Sequence, residues 1–236
     1  MYSPWDSPKA LCSVNRQFEQ IFAKYNVSAQ ADDALITLVP DADFIVHVLK
    51  LFEAEFQPKR LDVGVVDLDI LVDYLQRSHR YYLDVILPEL THLLQHLQQV
   101  SNGSFPLLHA LPAFWRSYRM ELHSHFRQED EGLFPYVKKL QHRMKHPMLG
   151  LFTQDLLNYD LNAFQEEHHD ETHELGEIRK LILLSNAHNE LPFPYRILLN
   201  KMTLFERDLH LHARLEDEVL IPRLRAIENR LKLRLN

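Results

Sequence analysis

The sequence predicts an all-α protein: an antiparallel four-helix bundle over residues 63–236, preceded by a small helical N-terminal domain over residues 1–62. Three observations predict it. The 236 residues include only 5 Gly, too few for the tight turns of an all-β protein. The long segments repeat their apolar residues with a helical period. Breaks at Asn102-Gly103 with Pro106, at His146-Pro147 with Gly150, and from Asn186 to Pro194 leave segments of about 67–100, 107–145, 151–187 and 194–234. Four long helices joined by short turns make an antiparallel bundle.

In chain order, the first 60 residues hold two shorter helical stretches, around Val14–Tyr25 and Asp43–Phe56. Val39-Pro40-Asp41 separates them, and either Asp41 or Asp43 can cap the second. Gln57-Pro58-Lys59 forms the exit, with the join to the bundle near 57–66. In the second bundle segment Leu111, Phe114, Trp115, Tyr118, Leu122 and Phe126 fall three and four residues apart, one apolar stripe facing a core. The last segment repeats this with Leu198, Met202, Phe205, Leu209, Leu220 and Leu224. Its basic end, Arg223 to Arg234, suits the negative pole of a helix C-terminus.

Composition excludes several function classes. With 26 Lys+Arg against 33 Asp+Glu the formal net charge is -7, so the basic stripe that neutralises phosphates is missing and nucleic acid is not the expected partner. The single cysteine, Cys12, excludes a disulfide framework and a multi-thiolate metal site, and fits a reducing cytoplasm. No run of about 18 uncharged apolar residues predicts a membrane span, and the N-terminus lacks the pattern of a secretion signal. Histidine is in excess: 15 of 236 residues, where ordinary usage is roughly 2%. Neutral imidazole is the common nitrogen ligand for iron, zinc and copper, so the excess directs attention to metal.

An internal repeat carries the chemistry. Glu121 to Pro135 and Asp208 to Pro222 share the frame L-H-x-H-x-R-x-E-D-E-x-L-x-P at a constant offset of 87 residues. A unit of this length used twice is a helical hairpin used twice. Each copy contains H-x-x-x-E, His125/Glu129 and His212/Glu216, and a spacing of four puts imidazole and carboxylate on one helix face. With 15 His and 17 Glu, chance supplies about one such pair. His173/Glu177 lacks the surrounding frame and is read as that pair. His92/His96 and His142/His146 read as exposed polar faces, and His123 and His210 point away from the ligand face. The other two helices should complete the set: His79 from the first, nine residues before Pro88, and His169 from the third, with His168 and His173 as competitors. The 90-residue separation of His79 and His169 nearly matches the offset of the repeat. Four His and two Glu buried without a metal would cost several kcal/mol of desolvation. With a metal pair, carboxylates bridge and imidazoles fill terminal positions, a donor set suited to two non-haem iron ions with positions left open for a small molecule.

On these residues the chain resembles the haemerythrin-like family, and more closely its di-iron members that repair iron–sulfur clusters after nitrosative or oxidative damage. The motifs are H-x-x-x-E-x-x-x-L-F-P at 125–135, H-x-x-x-E-x-x-x-L-I-P at 212–222, E-H-x-D-E around His168 to Glu171, and Leu-Pro-Glu-Leu at 87–90 following His79. The resemblance implies that His79, His125, His169 and His212 are terminal iron ligands and that Glu129 and Glu216 bridge the irons, with an oxo or hydroxo group between them. The additional histidine of the family's oxygen carriers has no counterpart here, which favours a more reactive centre. Residues 22–27, Phe-Ala-Lys-Tyr-Asn-Val, resemble the small domain that precedes the bundle in the repair proteins. Where those carry two adjacent cysteines this chain has Val27-Ser28-Ala29-Gln30.

The expected function is therefore cluster repair, by iron donation or protection, with open iron positions for nitric oxide or dioxygen. The alternatives are a non-enzymatic haemerythrin-like protein that binds or senses these gases, and ferroxidase-type iron storage, which would favour E-x-x-H helices. NO-reducing or O2-activating chemistry is open to such a centre, although iron donation itself requires no enzyme. Expected partners are a diatomic ligand, damaged iron–sulfur proteins and, in a homodimer, a second copy of the chain. Tyr81 and Tyr82, close to His79, are read as core packing with a supporting role at the metal as the alternative.

Overall fold

The computed structural model describes residues 2–54, 66–100, 107–145, 159–161, 163–164, 171–184 and 193–233. Among them every regular element is helical. Helix α1 (Pro8–Val14) starts where Ser7 caps Ala10 N–H and Pro8 takes the first helical position. The sequence reading begins this stretch at Val14; the chain instead ends a helix there. Asn15 turns extended and caps a 3-10 turn, Arg16–Phe18, that leads into α2 (Glu19–Ala23). Asn26 then closes α2 at φ 56°, a left-handed position that asparagine tolerates. After α3 (Leu35–Leu38) comes α4 (Ala42–Glu53), and its cap is Asp41, which accepts from Phe44 N–H at 2.9 Å.

The bundle runs through α5 (Leu68–Tyr81) and α6 (Leu87–Val100), α7 (Leu107–Gln128) and α8 (Phe134–Lys145), α9 (Glu171–Leu184), then α10 (Phe193–Leu215) and α11 (Ile221–Leu233). Three of these joins are not breaks but π-turns: Tyr82–Ile86, Glu129–Leu133 and Glu216–Leu220. Each is followed two residues later by a proline, at Pro88, Pro135 and Pro222. Proline cannot donate the helix hydrogen bond and crowds the carbonyl one turn earlier. Widening the helix by one residue lets the chain carry the proline without a sharp break. The predicted apolar stripes face inward, with Leu111, Trp115, Tyr118, Leu122 and Phe126 on α7 and Leu198, Met202, Phe205 and Leu209 on α10 all buried. His92 and His96 lie exposed on α6 as expected.

The apolar interior divides into two clusters. One joins the N-terminal helices to the bundle: Phe18, Phe22, Phe44, Leu49 and Phe52 pack with Leu71, Tyr74, Phe134, Leu215 and Leu220. The other fills the far half of the bundle around Tyr82, Tyr118, Phe126, Met202 and Phe205. Because the first cluster is continuous, the helices before residue 55 and the bundle helices bury one another. Phe18→Ala, which empties a fully buried ring position, should cost about 3–5 kcal/mol, and the far-UV signal and tyrosine fluorescence should lose stability together in one denaturant transition.

Candidate metal centre

The polar group sits where the two apolar clusters meet. His79, Glu129, His212 and Glu216 are all buried, and each offers a ligand atom within 4.8 Å of the others. They come from three of the bundle's long helical runs: His79 from the last turn of α5, His212 from the last turn of α10, and both glutamates from the first positions of the π-turns that follow α7 and α10. The repeat therefore places each carboxylate at the start of a widened turn, one helical step beyond its histidine.

The imidazole Nε2 atoms converge. His79 Nε2 lies 3.1 Å from His212 Nε2 and 3.0 Å from Glu129 Oε2, while His212 Nε2 lies 3.3 Å from Glu216 Oε1. The second oxygen of Glu129 faces a different imidazole, with His125 Nε2 at 2.9 Å from Oε1. One carboxylate thus stands between histidines of two helices. Aromatic rings fix the orientation of His79: Phe126 stacks on it at 4.2 Å and 17°, and Phe134 at 5.5 Å and 25°. Tyr82 and Phe126 each present an edge to the ring of His212. Rings held this way have little freedom to swing away from the centre.

Behind His79, Asp130 Oδ1 lies 3.2 Å from Nδ1. A carboxylate beside the far nitrogen leaves Nε2 turned to the centre, a common surrounding of a metal-binding histidine. Burial alone would push the His79 imidazole down, but hydrogen bonds to Asp130 and Glu129 and the charges of Glu129 and Glu216 outweigh it and lift it to about 9. Two buried carboxylates demand positive charge, and in the metal-free chain a proton on His79 supplies part of it. A divalent cation satisfies the same demand, and the mixed nitrogen and oxygen donors fit iron without a thiolate. Cys12 could not add one from nearby: it sits in α1, and burial, helped by the charge of Glu19, pushes its thiol up to about 11.

Of the six expected ligands, the structure brings His79, Glu129, His212 and Glu216 into one group and sets His125, with its side chain 11% exposed, against the outer oxygen of Glu129. His169 and its competitor His168 lie outside the described residues. His173 falls on α9, and its side chain is not described. His123 is exposed, His210 is partly exposed, and neither joins the group. Asp130 is the supporting residue that the sequence reading lacked. Its only signal is the E-D-E of the repeat, whose other copy, Asp217, is exposed.

Comparison with known proteins agrees with these features. Over 155 residues the chain is 24% identical to the iron-sulfur cluster repair protein ScdA of Staphylococcus epidermidis, a match covering about two thirds of each chain. Over 206 residues it is 22% identical to the ScdA of Staphylococcus haemolyticus, covering 85% of this chain and 89% of the other. This chain is similar to iron–sulfur cluster repair proteins. The resemblance read from the motifs is thus met by curated relatives, at low identity. No family model matches the chain, and no solved structure does.

The raised His79 has a direct consequence for stability. Without metal, the folded chain holds a proton that the unfolded chain releases above the ordinary value of 6.5. The resulting stabilisation is complete below pH 6.5 and is lost as the pH rises through about 9. The melting temperature of the metal-free protein should therefore fall by several degrees across that interval, and His79→Gln should flatten the profile, as followed by circular dichroism.

Proposed function

We propose that this chain is a di-iron protein of the iron–sulfur cluster repair type, acting in the cytoplasm on clusters damaged by nitrosative or oxidative stress. The observation that carries the reading is the placement of Glu129, whose two oxygens face His125 and His79 from different helices. A carboxylate so placed suits a bridge between two ions. His79, His125, His169 and His212 would hold the two ions at terminal positions, with Glu129 and Glu216 shared between them.

Iron held there would supply one-electron redox chemistry and open positions for nitric oxide or dioxygen. The chain's own residues do the rest. Asp130 stands beside His79 Nδ1, Phe126 and Phe134 clamp the His79 ring, and the two apolar clusters keep bulk water from the carboxylates on either side. The similarity to named repair proteins supports damaged iron–sulfur proteins as partners. No helix among the described residues is long and apolar enough to cross a membrane.

Glu129→Ala and Glu216→Ala should each abolish the two-iron stoichiometry measured by metal analysis, whereas His173→Ala should keep iron near the parent level. Full iron binding in both glutamate variants would overturn the ligand assignment. The function itself is tested by mixing the reduced, iron-loaded protein anaerobically with an enzyme whose cluster nitric oxide has destroyed. Recovery of that enzyme's activity beyond what equal free ferrous iron gives is the expected result. No recovery while two irons stay bound would replace repair with gas binding or sensing.

A further inference from the structure

The most unusual side chain outside the metal group is Lys24, in the Phe22–Val27 stretch between α2 and the turn at Asn26. Its side chain is completely buried, as is that of Asp208, and the ammonium donates to Asp208 Oδ1 at 2.7 Å. It also donates to the hydroxyls of Tyr74 at 3.1 Å and Tyr82 at 3.4 Å, and lies 4.7 and 5.1 Å from their ring centres. A buried lysine is tolerated only when its three donors and its charge are answered, and here all the answering groups belong to the bundle.

These partners lead to the metal group by two routes. Asp208, His212 and Glu216 follow one another at four-residue spacing on one face of α10 and its π-turn. Tyr82, whose hydroxyl meets Lys24, presents its ring to His212 at 5.8 Å. Among the described residues the other half of the repeat has no such arrangement. Its equivalent of Asp208 is Glu121, which is exposed. The pseudo-twofold symmetry of the ligands is therefore broken one turn away by a cation supplied from the N-terminal helices.

We propose that Lys24 is a positioning residue for the metal group: through Asp208 and Tyr82 it fixes the His212 side, and its buried charge makes the His212/Glu216 half electrostatically distinct from the His125/Glu129 half. The N-terminal helices thereby contribute to the centre without the adjacent cysteines that residues 27–30 lack. This rests on the reading of His212 as an iron ligand.

The test is the midpoint potential of the full-length, iron-loaded protein in Lys24→Met, Asp208→Asn and the double variant. Asp208→Asn removes the counter-charge of Lys24 and, measured at a pH low enough to keep the amine protonated, should raise the potential. Lys24→Met leaves a buried carboxylate and should lower it. The double variant should lie between them. Should Lys24→Met fail to fold, Asp208→Asn against the near-isosteric, uncharged double variant still decides the matter, because only the former retains the ammonium. A higher potential in Asp208→Asn than in the double variant supports the proposal. Equal potentials in iron-loaded variants overturn it alone and leave Lys24 a packing contact, while a parent protein that takes up no iron overturns the metal reading and this proposal together.

Discussion

Two glutamates placed in the middle of an apolar bundle set the terms for everything around them. A carboxylate at 0% exposure is stable only if cationic or donating groups reach it, and Glu129 and Glu216 are reached by His79, His125 and His212. Those imidazoles must be held rigidly, so Phe126, Phe134 and Tyr82 pack their flat faces and edges on them. The apolar interior consequently falls into two clusters, one on each side of a polar layer. In this sense the ionic demand of two side chains decides where the hydrophobic core can be continuous and where it cannot.

The repeat that builds the layer is symmetric in sequence and unequal in setting. Asp130 stands behind His79 and is half-buried, whereas its counterpart Asp217 is exposed. Asp208 is buried against Lys24, yet its counterpart Glu121 is exposed. Lys24 from the N-terminal helices reaches Tyr74 and Tyr82 of the first hairpin and Asp208 of the second. A duplicated frame can thus place equivalent positions in unequal surroundings, as Asp208 and Glu121 show.

Much of this was legible in the sequence because it is written in local patterns. The long helical runs followed from their apolar period, while the predicted breaks lie almost wholly outside the described residues; the buried group of four followed from H-x-x-x-E in a duplicated frame plus His79. What escaped was either long-range or disguised. Lys24 and Asp208 are 184 residues apart, and nothing in either neighbourhood distinguishes a buried lysine from a solvated one. Asp130 looks identical to Asp217 in the repeat, and only the packing of α5 tells them apart. The Ser7-Pro8 start of the first helix lies outside the apolar period that marks the others. The prolines after Leu87, Phe134 and Ile221 carry a mechanical meaning beyond their place in the motifs: each sits six residues beyond the first residue of a π-turn, and two of those first residues are Glu129 and Glu216.

Those widened turns have a consequence for how such a chain can change over time. An α-helix advances about 100° per residue, so one extra residue looped into a turn swings everything after it to a new azimuth while the axis continues. The apolar stripe of each long helix after its π-turn is therefore set one residue out of phase with the stripe before it. Deleting one residue within 129–133 or 216–220 would restore a regular α-helix whose downstream stripe keeps its inward heading, at the loss of the widened turn that begins at each glutamate.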